Sequence, residues 1–364
     1  MKIVAAMDSF KGSLTSIDAG NAVAEGIREC LPEADVSVCP LADGGEGTVD
    51  AVYSAVGGEY IAKSVTGPSG KKVDARYLIF DNKAVIEIAS AAGLTLIDSK
   101  ESDILHATTY GVGELISDAV SRGIIEFYIG LGGSATNDCG IGMLKALGYR
   151  FTDGDGHDAD LGSVERIELQ CVMPELKKCS FKVLSDVNNP LYGPNGASAV
   201  FAPQKGATPE EVVLMDTWMR RFAALVSDLI PGADPDLPGN GAAGGLGFAF
   251  RTFLGADIRS GADTIIEMSG LENKMEGSDI VITGEGKIDK QTMMGKGPSK
   301  IAELARRHGK RVIAFGGIVE DLDYSSLFDE VFQIERKEGE DYMDKTIASR
   351  NLRKSVKYRL SSIN

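Results

Sequence analysis

Histidine is nearly missing from this chain: His106, His157 and His308 are the only three in 364 residues. They lie in "ILHATT", "DGHDAD" and "RRHGKR", none beside a nucleophile-like serine. Triad hydrolysis is therefore poorly supported, and proton transfer falls to a carboxylate. Cysteine is scarce too. Cys30, Cys39, Cys139, Cys171 and Cys179 are odd in number and form no C-x-x-C pair, which signals neither a disulfide framework nor a zinc site and fits a reducing cytoplasm. No long apolar run occurs: nothing is fit to span a bilayer, and Ile3–Met7 is too short for a signal-peptide core, so a soluble, cytoplasmic protein is expected. Positive charge is also short. Against 53 Asp and Glu stand 38 Lys and Arg, a net charge of −15 that would repel nucleic acid or an anionic membrane face. Two phosphate signatures are absent as well. No G-x-x-x-x-G-K-[ST] occurs, and after the first strand "DSFKGSLTS" stands where a dinucleotide fingerprint would be, which disfavours an NAD enzyme.

What is present is glycine, 44 residues of it, gathered into loops that adjoin apolar strands. "KIVAAMD" reads as a buried parallel strand, and "SIDAGNAVAEGIREC" as a helix opened by Ser16 as cap. "DVSVCPLAD" repeats the strand, and strand–helix alternation resumes with "DIVITGEG", "SKIAELARRHGKR", "VIAFGG" and "EVFQI". This rhythm predicts an α/β fold with a doubly wound parallel, Rossmann-like sheet. Tyr60–Ala89 instead alternates like hairpin strands around Gly-Pro and Asp-Asn turns. The chain is long enough for two α/β domains: residues 1–65 with 278–364, and a second domain over 66–277 inserted into the first. Within the insert, Thr208 and Glu211 form a capping box ahead of a helix that carries Met215, Trp218, Phe222 and Val226 as core. "DGDGHDADLGSVE" fails as an EF-hand, because His157 and Asp158 occupy wrong positions, and reads as a solvated turn.

Four glycine loops could carry chemistry: "ADGGEGT", "GLGGSATND", "GNGAAGGLG" and "TGEGKID". Glycine lets backbone N–H groups approach a phosphate or carboxylate, and a helix start behind the loop adds partial positive charge. Charged residues sit on or beside these loops. Asp43, Glu46, Asp138, Asp186, Glu285 and Asp289 could hold Mg²⁺ or accept a proton, while Lys11, Lys205, Lys287 and Lys296 could neutralise phosphate oxygens.

In sequence and in order, "DSFKGSL", "ADGGEGT", "TGPSG", "GLGGSATND", "SDVNNPLYGPNGAS", "FAPQKGA", "GAAGGLG" and "TGEGKIDKQTMMGKGP" resemble the bacterial glycerate kinases of the glycerate 2-kinase type. The resemblance covers nearly the whole chain. Met7 stands where such proteins often have proline, and Cys139 where they have glycine after Asn-Asp. It implies a phosphotransferase with an alcohol acceptor: ATP- and Mg²⁺-dependent phosphorylation of D-glycerate to 2-phosphoglycerate, in a cleft between two α/β domains of a monomer or homodimer. The alternatives are phosphorylation at the 3-hydroxyl, or a non-catalytic sensor of small hydroxy acids. The roles expected are Asp186 as base or metal ligand, Lys287 and Lys11 on phosphate or the substrate carboxylate, and Asp43 near Mg²⁺, with Asp138 and Asp289 as metal ligands. Substrate and phosphate binding is expected of Asp8, Ser9, Gly44, Gly45, Glu46, Gly132, Gly133, Ser134, Thr136, Asn137, Asn188, Lys205, Gly284 and Gly286.

Overall fold

A computed structural model describes residues 1–97, 103–295 and 297–361. Its strands are β1 (Lys2–Met7), β2 (Asp35–Val38), β3 (Glu59–Thr66), β4 (Lys72–Phe80), β5 (Lys83–Glu87), β6 (Glu126–Gly130) and β7 (Arg150–Thr152). They continue with β8 (Arg166–Glu168), β9 (Ser180–Leu184), β10 (Asp257–Arg259), β11 (Ile280–Ile288), β12 (Arg311–Val319) and β13 (Glu330–Gln333). The chain divides into two compact units: residues 1–43, 50–57 and 262–364 in one, and 44–49 with 58–261 in the other.

The first unit is built on a five-stranded sheet in the order β2-β1-β11-β12-β13, every pair parallel. The pleat sends alternate residues of β1 to opposite faces. Ile3, Ala5 and Met7 pack with Ile27, Leu352 and Val356, whereas Val4 and Ala6 pack with Leu271, Met275 and Ile301. Helices thus cover both faces, the doubly wound arrangement expected from near-continuous apolar strands. The helix Ser16–Cys30 is capped one residue earlier than expected, by Thr15, whose side chain accepts the Asp18 N–H.

The second unit carries a six-stranded sheet, β10-β9-β6-β5-β4-β3, with β10, β9, β6 and β5 parallel and β4 and β3 antiparallel. The hairpin β4–β5 turns at Asp81 and Asn82, both at positive φ (42° and 63°), as the Asp-Asn signal predicts. The helix Pro209–Leu229 opens with the Thr208/Glu211 capping box. The division differs from the expected limits at both ends. β3 belongs to the second sheet because it pairs along its length with β4, and Leu271 and Met275 belong to the first unit because they bury against Val4 and Ile301. No helix among the described residues is long and apolar enough to cross a membrane.

Candidate functional site

In the first unit the chain winds outward from β1 to β2 on one side and from β11 to β12 on the other. Loops after β1 and β11 therefore leave in opposite directions, and sheets of this kind bind ligands at the carboxyl ends of such strands. Asp8 and Ser9 follow β1 directly: the Asp8 N–H donates to the Gly284 carbonyl at 2.9 Å, and the Ser9 N–H to the Asp8 carboxylate at 2.6 Å. Gly284 has no room for a side chain, since a Cβ would run into the Phe315 carbonyl and, at 2.8 Å, the Met7 methyl. Two residues on, Gly286 lies against the backbone of Phe10 and Lys11, so the Asp-Ser-Phe-Lys loop and the Gly-Glu-Gly-Lys strand meet, with Lys11 exposed. Asp43 is an exposed carboxylate two residues beyond Leu41, whose N–H donates to the Met7 carbonyl.

Lys287 is half exposed and donates to Glu320 at 2.6 Å, with Asp289 at 3.2 Å. Glu320 and then Asp289 raise its pKa. Asp289 caps the helix Lys290–Met293, accepting from the Gln291 and Thr292 N–H groups. Burial opposes its ionisation, but the Gln291 amide and the Lys287 ammonium outweigh that and hold its pKa below the usual carboxylate range. Glu285 is buried and accepts the Thr292 hydroxyl at 2.6 Å. Lys296 lies outside the described residues.

In the second unit the segment Gly44–Val49 is laid over the carboxyl ends of β5, β6 and β9. The Gly132 N–H donates to the Gly44 carbonyl at 3.0 Å, and the Val49 N–H to the Glu87 carboxylate at 2.6 Å. Gly44 itself (φ 89°) faces the Leu184 carbonyl so closely that a Cβ would stand 2.5 Å from the oxygen. Three glycines expected to cradle phosphate, Gly44, Gly45 and Gly132, therefore lie against protein backbone, as does Gly130. Gly133 (φ 74°) turns the chain and its carbonyl accepts the Leu94 N–H. Glu46 is exposed.

Beyond the glycines, Lys205 is 5% exposed and donates to the Ser134 hydroxyl at 2.8 Å and the Thr136 carbonyl at 2.7 Å. Burial pushes its pKa down to about 7, against the pull of the Asp138 charge. Asp138, expected at a metal, is half-buried and engaged by four protein donors: the Thr109 N–H and hydroxyl, and the Gly140 and Gly142 N–H groups. Burial raises its pKa despite those bonds. Cys139 adopts φ 52°, a left-handed conformation that explains glycine at this place in the resembling proteins. It packs on a second left-handed stretch, Ala243–Gly245, and its N–H donates to the Gly244 carbonyl at 2.9 Å.

Asp186 follows β9 and accepts the Gly261 N–H at 3.2 Å. With Asn188 it lines a depression of about 520 Å³ walled also by Arg251, Ile258 and Arg259. The sequence reading missed both arginines. Arg251 is the one cation in the apolar helical run "AAGGLGFAFRTFL", a signal that was there to be read. It donates to the Asn240 side chain at 2.7 Å and to the Pro238 carbonyl at 3.0 Å, and burial lowers its pKa.

The chain as a whole is similar to known proteins. The family model described as "Glycerate kinase family" matches residues 3–360. The chain is 42% identical to the glycerate 2-kinase of Escherichia coli K12, over 88% of this chain and 86% of that protein. It is 41% identical to the glycerate kinase of Bacillus subtilis 168, over 88% and 85%. A Salmonella typhimurium LT2 protein, whose crystal structure was solved as a candidate glycerate kinase 2, is 40% identical and superimposes with a TM-score of 0.90, covering 100% of this chain and 98% of the other. The chain belongs to the glycerate kinase family.

Membership of the glycerate kinase family makes the chain an enzyme, an ATP-dependent phosphotransferase. Among the described residues no group of three or more His, Cys, Asp and Glu side chains is placed to hold a metal ion. A kinase does not need one, since magnesium is held by one or two carboxylates together with substrate phosphates.

Proposed function

We propose that this protein transfers the γ-phosphoryl group of ATP to D-glycerate, yielding 2-phosphoglycerate. The observation that carries the reading is the extent of the family match, residues 3–360, which takes in every loop described above, and the Escherichia coli relative is named for the 2-position. Phosphoryl transfer asks little covalent chemistry of a protein; it needs charge neutralisation, alignment and a group to receive a proton. Lys11 and Lys287 neutralise phosphate or the glycerate carboxylate, and Lys205, fixed by Ser134 and Thr136, presents a pre-oriented ammonium to an anion. Asp8, Ser9, Gly284 and Gly286 shape that loop. Asp186 receives the hydroxyl proton or ligates metal from the carboxyl end of β9, beside Asn188. Mg²⁺, when bound, offsets the charge of the phosphates. Asp43 and Asp289 are the carboxylates assigned to it; Asp138 is left out because four protein donors already engage it.

An ATP-coupled screen of small hydroxy acids, with the product position read by ³¹P and ¹³C NMR, tests this directly. Turnover of D-glycerate with phosphate on C2 is expected. Binding of glycerate without ATP turnover in the presence of Mg²⁺ would leave only a sensor, and phosphate on C3 would overturn the regiochemistry.

A further inference from the structure

β10 is the edge strand of the second unit's sheet, and its carboxyl end is tied to that of β9 by two hydrogen bonds. The Ser185 N–H donates to the Arg259 carbonyl at 2.9 Å, and the Gly261 N–H to the Asp186 carboxylate at 3.2 Å. Both Arg259 and Asp186 line the same depression, whose volume of about 520 Å³ is within the range of small-molecule sites.

The charges on this lining favour an anion. Two guanidinium groups, Arg251 and Arg259, stand against one carboxylate, Asp186. Arg251 is fixed by neutral partners, the Asn240 side-chain oxygen and the Pro238 carbonyl, and among the described residues no carboxylate forms an ion pair with it. Arg259 is placed differently. Its Nε donates to Asp257 at 2.6 Å, two residues back on the same edge strand, and the two side chains are 44% and 58% exposed. A pair so open to water is weak, so the guanidinium is reachable from solvent and can exchange its partner. Its planar fork of donors matches a carboxylate. Asp186 narrows the ligand further, because it repels a second negative charge and accepts a hydrogen bond from a hydroxyl. A monocarboxylate that carries a hydroxyl satisfies both groups.

We propose that Arg259 binds the carboxylate of the acceptor, which makes this depression the subsite for the acid end of the substrate. The inference rests on the kinase reading and sharpens it. In a 2-hydroxy acid the carbon bearing the hydroxyl is bonded directly to the carboxyl carbon, so a carboxylate gripped at Arg259 brings that hydroxyl into the depression that Asp186 lines. Lys11 and Lys287 are then left to the phosphates.

The test measures D-glycerate binding to the full-length protein by titration calorimetry without nucleotide, and KM for D-glycerate and for ATP in a coupled assay. Arg259→Gln, Arg259→Lys and Asp257→Asn are compared with the wild type. Arg259→Gln is expected to raise Kd and KM for D-glycerate about tenfold or more, as for lost hydrogen bonds to a charged group, while KM for ATP is unmoved. Arg259→Lys recovers part of the loss, and it carries the comparison if Arg259→Gln does not fold. Asp257→Asn releases the guanidinium and leaves glycerate affinity unchanged or improved; if it weakens binding as much as Arg259→Gln does, the pair is merely structural and the assignment falls. A folded Arg259→Gln protein with wild-type Kd and KM for D-glycerate overturns the assignment and leaves the kinase reading standing. Glycerate binding that depends on Arg259 in a wild type that transfers no phosphoryl group supports the subsite and overturns the kinase reading instead. A wild type that binds no glycerate overturns both.

Discussion

The Lys205 ammonium stands 2.8 Å from the Ser134 hydroxyl, to which it donates. This contact ties the Pro-Gln-Lys turn to the loop after β6 and holds a lysine inside the protein with its pKa lowered from 10.5 to about 7 by burial. Between those two values the unfolded chain binds the extra proton, so stability rises with pH across that window, at most by about 1.4 kcal/mol per pH unit. The penalty is fully present below pH 7 and relieved towards 10.5. Urea unfolding at pH 7, 8 and 9 is expected to show this rise in the wild type and a flatter profile in Lys205→Met. Parallel profiles would mean that the lysine keeps its ordinary pKa.

Asp138→Ala is expected to be among the more damaging single substitutions. It strands the Thr109, Gly140 and Gly142 N–H groups next to the short helix Ile141–Ala146, for a loss of about 3 kcal/mol or more. Chemical denaturation measures it. A loss below about 1 kcal/mol would show that water replaces the carboxylate and that the loop is not held by it.

Asp186→Asn separates chemistry from loop order. Asparagine can still accept the Gly261 N–H, so the loop should keep its shape while the charge is gone. A base or metal ligand removed in this way lowers kcat by on the order of 10²-fold or more. Near-normal kcat across a range of Mg²⁺ concentrations would move the search to Asp43 or Asp289.

Lys287→Ala removes an exposed side chain whose partners, Glu320 and Asp289, remain solvated, so the thermal midpoint should barely move. KM for ATP or glycerate should rise several-fold, or kcat fall. Unchanged steady-state kinetics would make Lys287 a surface ion pair and nothing more.

Gly44→Ala places a methyl group against the Leu184 carbonyl in a left-handed backbone, and should cost about 2 kcal/mol or more. A melting temperature equal to that of the wild type would contradict the close packing of this segment.

The sequence was most legible where one local rule acts alone. The alternating faces of β1, the hairpin turn at Asp81–Asn82 and the Thr208/Glu211 cap depend on neighbours a few residues away. What depends on distant partners was harder to read. Glycine runs announce that backbone comes close to something, yet nothing in "ADGGEGT" or "GLGGSATND" says that the two loops lie against each other. Two of the four donors to Asp138 come from Thr109, 29 residues away, which the sequence around Asp138 does not announce, and the limit at residue 66 separates β3, itself read as part of an alternating hairpin, from its partner β4. Lys205 was identified as a site lysine, but its burial follows from tertiary packing that no local pattern encodes.

The central place of β1 sets an order of events during synthesis. Its partner on one side, β2, is made almost at once, but Ile3 pairs on the other side with Ile280. The ribosome completes residues 58–261, almost the whole second unit, before β11 exists. For on the order of tens of seconds at typical elongation rates, β1 has an open edge, and its Val4 and Ala6 face waits for Leu271, Met275 and Ile301 while the early helix Ser16–Cys30 covers part of the other. The amino-terminal segment is thus the part of the nascent chain with the longest need of a chaperone, and its burial is the last step by which the newly made protein becomes resistant to proteases.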